Sequence, residues 1–306
     1  MRIAITTPAG NIGSKIVEQL QAQTRHELFL LCRDPDSVAA QLREGAVARI
    51  GSLEDIRFVE RATADSDALF WLTPPNYAAR DFRAWQENLG RNVANAMRIN
   101  GIPRVVNLSS FGAQAAYGAG PISGLHDVET LIDAAAADTG AAVTHLRPAF
   151  FQENFLMFAP SIMAMGSIFM PVAPSTRTPM IATQDIADVA ARLLGDKSWN
   201  GHHVRELLGP RDYTFNEATE IIGRALGRPV QYVQIKSSQA AAAMEEMGAT
   251  PNVAASFIEM YRGLESGLIT PLHPRSKEST TPTTLEDFVA KVLAPAVKAV
   301  QHMTSF

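Results

Sequence analysis

Thr6-Thr7-Pro8-Ala9-Gly10-Asn11-Ile12-Gly13 has the residue types and spacing to seat a pyrophosphate. A glycine-bearing turn between a strand and a helix presents backbone N–H groups and the positive end of the helix dipole to an anion. Gly10 lets the backbone approach the phosphates closely, and Gly13 lets the helix pack tightly on the strand. Thr7, Asn11 and Ile12 complete the turn, but Thr7 stands where a G-x-x-G-x-x-G pattern has its first glycine. The fingerprint is incomplete, and an ordinary turn would also accept these residues. Its weight comes from context. An apolar strand over 2–6 precedes it, and a helix over 11–23 follows, with Ile12, Ile16, Val17 and Leu20 on one stripe.

Twenty residues beyond Gly13, Arg33 follows a second apolar strand over 28–32. A dinucleotide fold places there the group that meets the adenine ribose: an acid for a free 2′-hydroxyl, an arginine for a 2′-phosphate. The guanidinium fork matches phosphate geometry and keeps its charge. Arg33 therefore points to NADP(H), with NAD(H) still admissible, against the plainer reading of a solvated surface residue. Asp34-Pro35-Asp36-Ser37 reads as the capped start of the next helix.

These groups need a scaffold. Strands over 46–50, 68–72, 105–108 and 143–146 alternate with helices over 37–43, 53–62, 78–99 and 125–137. Such alternation predicts an α/β Rossmann fold with a doubly wound parallel sheet, because parallel strands need helical crossovers on the sheet faces. Residues 1–150 make that NAD(P)-binding lobe, joined later by 183–209, which carry a helix over 185–194 and a strand over 203–207. Residues 151–182 and 210–306 make a smaller C-terminal α+β lobe. Its helix over 215–226 and strand over 230–235 precede three helices within 238–300, and 274–282 form an exposed loop. Ligands of open α/β sheets bind at the carboxyl ends of the strands. Leu72, Thr73 and Pro74 end the fourth strand, Ser109 follows the fifth, and Phe150 follows the sixth, so all five are candidates to touch a cofactor. For Leu72-Thr73-Pro74-Pro75, a simple strand-ending turn fits nearly as well.

With 306 residues and 46% hydrophobic content, the chain has enough apolar surface for a sizeable core. A net charge of −4 without a basic cluster argues against a nucleic-acid partner. The single cysteine, Cys32, rules out an internal disulfide framework and suits a reducing compartment, so a cytoplasmic location is expected. Cys32 ends an apolar strand and reads as an inert core thiol. The chain enters a strand at once, leaving no room for a secretory leader. Residues 154–176 lack charge, but Pro160, Gly166, Pro171 and Pro174 interrupt them, which fits a pocket wall better than a membrane span.

Taken together, these segments resemble the NmrA-like family of atypical short-chain dehydrogenases. The resemblance rests on the Gly-turn, Arg33-Asp34-Pro35, Leu72-Thr73-Pro74-Pro75, Val105-Val106-Asn107-Leu108-Ser109-Ser110 and Leu146-Arg147-Pro148 with Phe150-Phe151-Gln152-Glu153-Asn154. Asp185-Ile186-Ala187 and Glu206-Leu207-Leu208-Gly209-Pro210 complete it, so nearly the whole chain is covered. The resemblance implies NAD(P) in the Rossmann lobe and a substrate cleft closed by the second lobe. It implies either an oxidoreductase of the quinone or dye reductase type, or a redox-sensing regulator that acts through a protein partner without turnover.

One departure from the larger dehydrogenase family matters. There a Tyr donates the proton and a Lys four residues on lowers its pKa; here Ile122 and His126 occupy those positions. Ser109 keeps the family's serine position without its partner. His126 is the remaining ionisable candidate for a proton donor, since imidazole titrates near neutrality. The competing reading is a solvated side chain, because Leu125, Val128, Leu131 and Ile132 form the buried stripe while His126, Glu129 and Asp133 lie on another face. Tyr117, in the glycine-bounded 112–124 loop, is a rival donor or substrate contact. No metal site is legible: His202-His203 are adjacent, and neither a carboxylate nor a cysteine accompanies them in sequence.

The charge-free segment gathers Met157, Met163, Met165 and Met170 with Phe150, Phe151, Phe155, Phe158 and Phe169. Polarizable thioethers and aromatic rings suit a flat apolar or aromatic substrate, for which Phe151, Asn154 and Phe155 are candidate contacts. Core packing between lobes is the alternative for each of these side chains.

Overall fold

The computed structural model of the protein describes residues 1–23 and 25–303. The chain opens with β1 (Arg2–Thr6), α1 (Gly13–Ala22), β2 (Glu27–Cys32), α2 (Ala39–Arg43), β3 (Val47–Ile50) and α3 (Ile56–Ala62). It continues through β4 (Ala68–Leu72), α4 (Phe82–Asn100), β5 (Arg104–Leu108), α5 (Pro121–Thr139) and β6 (Ala142–Pro148). Next come β7 (Phe150–Phe151), α6 (Ala159–Met165), β8 (Ser167–Met170), β9 (Arg177–Ile181), α7 (Thr183–Gly195) and β10 (His202–Leu207). The remainder comprises β11 (Asp212–Thr214), α8 (Phe215–Leu226), β12 (Gln231–Gln234), α9 (Ser237–Glu246), α10 (Pro251–Glu265), α11 (Leu285–Phe288) and α12 (Ala294–Met303).

Seven strands form one sheet in the order β10-β6-β5-β4-β1-β2-β3, every pair parallel. The order reverses between β1 and β4, which is where a doubly wound sheet opens a crevice. The two-residue alternation of the strands divides the core. Ile3 and Ile5 face Ile16, Val17 and Leu20 of α1 and Ile186 and Leu194 of α7. Ala4, Leu69 and Trp71 face Phe58 of α3, Leu89 and Val93 of α4, and Val128 and Ile132 of α5. Thr6 extends the β1–β4 pairing to the sheet's end: its hydroxyl donates to the Phe70 carbonyl at 3.2 Å and accepts from the Leu72 amide at 2.8 Å.

Beyond β6, β11, β9 and β7 make a three-stranded sheet, and β12 pairs with β8 in parallel. A separate core of Phe155, Ile162, Met170, Tyr213, Phe215 and Phe288 unites them with α6, α8 and α11. Residues 154–176 are therefore more ordered than expected, with a 3₁₀ turn over Gln152–Phe158, then α6 and β8. Gly166, left-handed at φ 62°, ends α6, so the interrupters in this segment separate two elements instead of dissolving them.

Helix ends differ from the sequence expectation for local reasons. The helix expected from 78 starts at Phe82, because Asp81 caps it and residues 77–79 are bonded to Thr250, which donates to the Tyr77 and Ala79 carbonyls. α5 starts earlier than expected, at Pro121, directly after Gly120 with its φ of 55°. There the missing Pro N–H costs nothing. Between α11 and α12 the backbone widens into a π turn over Val289–Leu293, just before Pro295, which cannot donate the i→i−4 bond. Among the described residues no helix is long and apolar enough to cross a membrane.

Candidate functional site at the sheet crevice

A cavity of about 580 Å³ opens at the carboxyl ends of β1 to β4, at the reversal of strand order. Its wall comes from Thr7–Gly10 after β1, Cys32–Asp34 after β2, Gly51–Glu54 after β3 and Pro74–Tyr77 after β4, with Trp85 of α4 behind. Gly10 and Asn11 are exposed on the turn, and Ile12 sinks its side chain into the core, leaving backbone to face outward. No side chain caps α1. The helix N-terminus thus keeps its dipole for a ligand, although the Ser14 amide already bonds the Gly10 carbonyl at 3.0 Å.

Thr7 adopts φ 50°, a left-handed conformation that explains why a glycine would suit this position. Its hydroxyl is buried without a hydrogen-bond partner, as is that of Ser109. Unpartnered buried hydroxyls are costly in a finished protein. Thr7 lines the crevice, so a polar ligand there fits its hydroxyl, and with the uncapped helix end this makes the residues compatible with a dinucleotide.

Arg33 lines the cavity, exposed, and forms no ion pair among the described residues. Asp34 is committed elsewhere, since its carboxylate accepts the Asp36 amide at 3.0 Å and caps the 3₁₀ turn over Pro35–Val38. Burial, reinforced by the Asp34 charge, pushes the Cys32 thiol up from its ordinary value. Pro74 lines the cavity and its carbonyl accepts from Trp85 Nε1 at 3.1 Å. Thr73 turns inward, where its hydroxyl accepts from Trp71 Nε1 at 3.1 Å, and Leu72 is half-buried, so neither side chain lines this cavity.

Ser109 follows β5, its amide bonded to the Leu146 carbonyl at 2.8 Å. Ile122 is buried in the core. His126 is half-buried, with Nδ1 2.9 Å from the Ala113 carbonyl. A carbonyl only accepts, so Nδ1 carries the proton and Nε2 is the free nitrogen. Tyr117 is 77% exposed, its ring under the Arg83 guanidinium at 4.8 Å, and that guanidinium grips Asp127 at 2.6 and 2.9 Å.

The expected substrate wall divides. Phe150 and Phe151 are half-buried, and Asn154 and Met157 are exposed. Phe155 is a correction: it is fully buried in the second core, 5.7 Å from the Phe150 ring, and supports that ring instead of offering a face to a substrate. Met170 is likewise core.

The polar face of α5 is a second correction. Glu129 is buried and binds Arg147 of β6 at 2.5 and 3.0 Å. Asp133 accepts from His145 and His202, so the carboxylate that pairs with His202 arrives from a helix and not from Glu206, four residues along its own strand. Only Asn107 in the apolar run of β5, and His145 and Arg147 two apart on β6, hinted that polar groups were buried there. Glu153 also has a hidden role, accepting from the Thr183 amide at 3.0 Å and hydroxyl at 2.5 Å, with Lys15 at 3.8 Å. Asp185 and Glu206 accept the Thr283, Leu272 and His273 amides, and the segment expected as a free loop is pinned by Arg275, which bonds Leu208, Gly209 and Asp212.

Comparison with known proteins agrees with this architecture. The profile of the NmrA-like family matches residues 1–289. The NAD(P)H azoreductase of Xenophilus azovorans is 27% identical over 261 residues, covering 85% of this chain and 86% of the relative. Quinone oxidoreductase 2 of Escherichia coli (strain K12) is 25% identical over 266 residues, covering 87% and 88%. The crystal structure of an NADPH-dependent quinone oxidoreductase from Escherichia coli superposes with a TM-score of 0.76 at 23% identity, over 95% of this chain and 99% of that one.

Proposed function

The chain belongs to the NmrA-like family, and from that premise we propose that it is an NAD(P)H-dependent oxidoreductase acting on a small quinone-like or conjugated apolar acceptor. The observation that carries the reading is the crevice itself, where Thr7 to the exposed Gly10, leading into the uncapped α1, and Arg33, without an ion pair among the described residues, line one cavity. An azoreductase and a quinone oxidoreductase that span most of the chain support it. Residues 1–150 with 183–209 would hold the dinucleotide, and 151–182 with 210–306 would close on the acceptor.

In this reading the backbone of Thr7 to Gly13 binds the pyrophosphate, Arg33 the 2′-phosphate, and Leu72, Thr73, Pro74, Ser109 and Phe150 flank the remainder. The bound dinucleotide supplies hydride. Phe151, Asn154 and Tyr117 are offered as acceptor contacts, and the imidazolium form of His126 as the proton donor through Nε2, Nδ1–H staying on the Ala113 carbonyl. Reducing a quinone asks little of a protein acid, since water can protonate the product. Loss of the Tyr and Lys of the larger family is therefore tolerable for this chemistry, and less so for an ordinary ketone.

The rival is a sensor that binds NADP(H) without turnover and signals through a protein partner; the reductase relatives favour the enzyme. An NADPH-oxidation screen across quinones, azo and triphenylmethane dyes and enones separates them. Turnover abolished by Gly13→Val is the expected result. Tight cofactor binding with no turnover across the panel would overturn it.

A further inference from the structure

Asp133 of α5, His145 of β6 and His202 of β10 converge on the helix-covered face of the sheet, at its far edge from β3. His145 Nε2 lies 2.8 Å and His202 Nε2 2.9 Å from the same oxygen, Asp133 Oδ1. The two rings meet edge to face at 5.3 Å, and the three donor atoms all lie within 4.8 Å of one another. His145 is fully buried and closes the inner side, while the side chains of Asp133 and His202 are 40% and 49% exposed and leave the outer side open. None of the three lines the crevice described above.

We propose that these residues bind one divalent transition-metal ion of the zinc class. Two imidazole nitrogens and one carboxylate form the donor set of open zinc sites, which keep a fourth position for water. Imidazole with carboxylate also favours such ions over magnesium or calcium, which seek oxygen ligands alone. The backing of His145 supports this. Its Nδ1 lies 2.9 Å from the Asn107 amide, whose oxygen is buried without a partner. As placed, the Asn107 amide nitrogen donates to Nδ1 and Nε2–H donates to Asp133; a half-turn of that amide on metal binding would present its oxygen to Nδ1–H and free the Nε2 lone pair for the ion. That tautomer is repulsive toward a bare carboxylate and attractive once a cation sits between them. An outer amide that fixes the tautomer and orientation of a histidine is a usual companion of metal ligation.

The ion would tie the edge strand β10 to the consecutive elements α5 and β6. The histidines need no movement of backbone to reach it, because the sheet register already sets His202 opposite Val143, two residues before His145 on the same face.

The test is a titration of the full, untagged chain with Zn²⁺ after chelator stripping, read by competition with a chromophoric chelator and by thermal shift. One Zn²⁺ per chain and a rise in Tm with Zn²⁺ are expected. His202→Ala and Asp133→Asn should each weaken binding at least about tenfold, by the scale on which even outer-shell losses act. Both positions are partly exposed, so these variants should fold, and unchanged Tm values without metal verify it. His203→Ala is the control, since His203 bonds the Asn200 carbonyl and lies outside the group. Absence of zinc above the buffer level, or stoichiometric binding that survives both ligand substitutions, would overturn the proposal.

Discussion

Gly13 lies against Thr7 so closely that a β-carbon on Gly13 would overlap the Thr7 carbonyl oxygen. Thr7 itself is held at φ 50°, and the Gly10 amide bonds its carbonyl at 3.0 Å. The turn is thus fixed by packing of backbone on backbone, with a cost at Thr7 of about 1–2 kcal/mol. Gly13→Val should lower stability by roughly 1–3 kcal/mol, as overpacking does, and weaken NADPH and NADH alike. Calorimetric Kd values and a Tm both unchanged would show that the turn tolerates a side chain and does not seat the cofactor.

Arg33 is exposed and without an ion pair among the described residues, so removing it should leave stability intact. Arg33→Ala should weaken NADPH about 10–100-fold, the scale of one or two hydrogen bonds to a charged group, with little effect on NADH. Equal losses for both cofactors by fluorescence titration would remove Arg33 from the 2′-phosphate site.

Cys32 is the only cysteine and lines the cavity. Burial raises its thiol above the ordinary value, so less thiolate, the reactive form, exists at a given pH. Alkylation by iodoacetamide at pH 8 should be slower than that of glutathione, accelerate as pH climbs, and slow again when NADPH fills the cavity. A rate indifferent to NADPH would place the cofactor elsewhere.

Glu129 and Arg147 pair at 2.5 and 3.0 Å with side chains only 6% and 7% exposed. Breaking a buried pair strands the other charge and costs about 3–5 kcal/mol. Glu129→Gln should therefore lower the urea midpoint sharply. A loss below about 1 kcal/mol, the surface-pair scale, would mean water already reaches the pair.

His126 is the sharpest test of the proton source. With Nδ1 held by the Ala113 carbonyl, only Nε2 is free to deliver a proton. His126→Ala should lower kcat by about 10²–10⁴-fold, the range of general acid assistance, with NADPH affinity nearly unchanged. A loss below about tenfold would assign proton delivery to solvent.

The sequence alone determined the sheet and the crevice. Alternating apolar strands and amphipathic helices, a glycine turn after the first strand and Arg33 after the second are local patterns, and parallel strands leave little choice of topology once helices separate them. The Asp34 cap was legible for the same reason, its partner lying two residues away. What only the tertiary structure decided is where distant polar groups meet. Asp133 and Glu129 looked solvated because helix periodicity reports an apolar stripe and is silent about a charge on strand β6 opposite the polar face. Phe155 looked available to a ligand because composition does not say which side of a ring is covered. His202 found its carboxylate 69 residues earlier in the chain, through a strand register that pairing across the sheet imposed and no spacing in the sequence encodes.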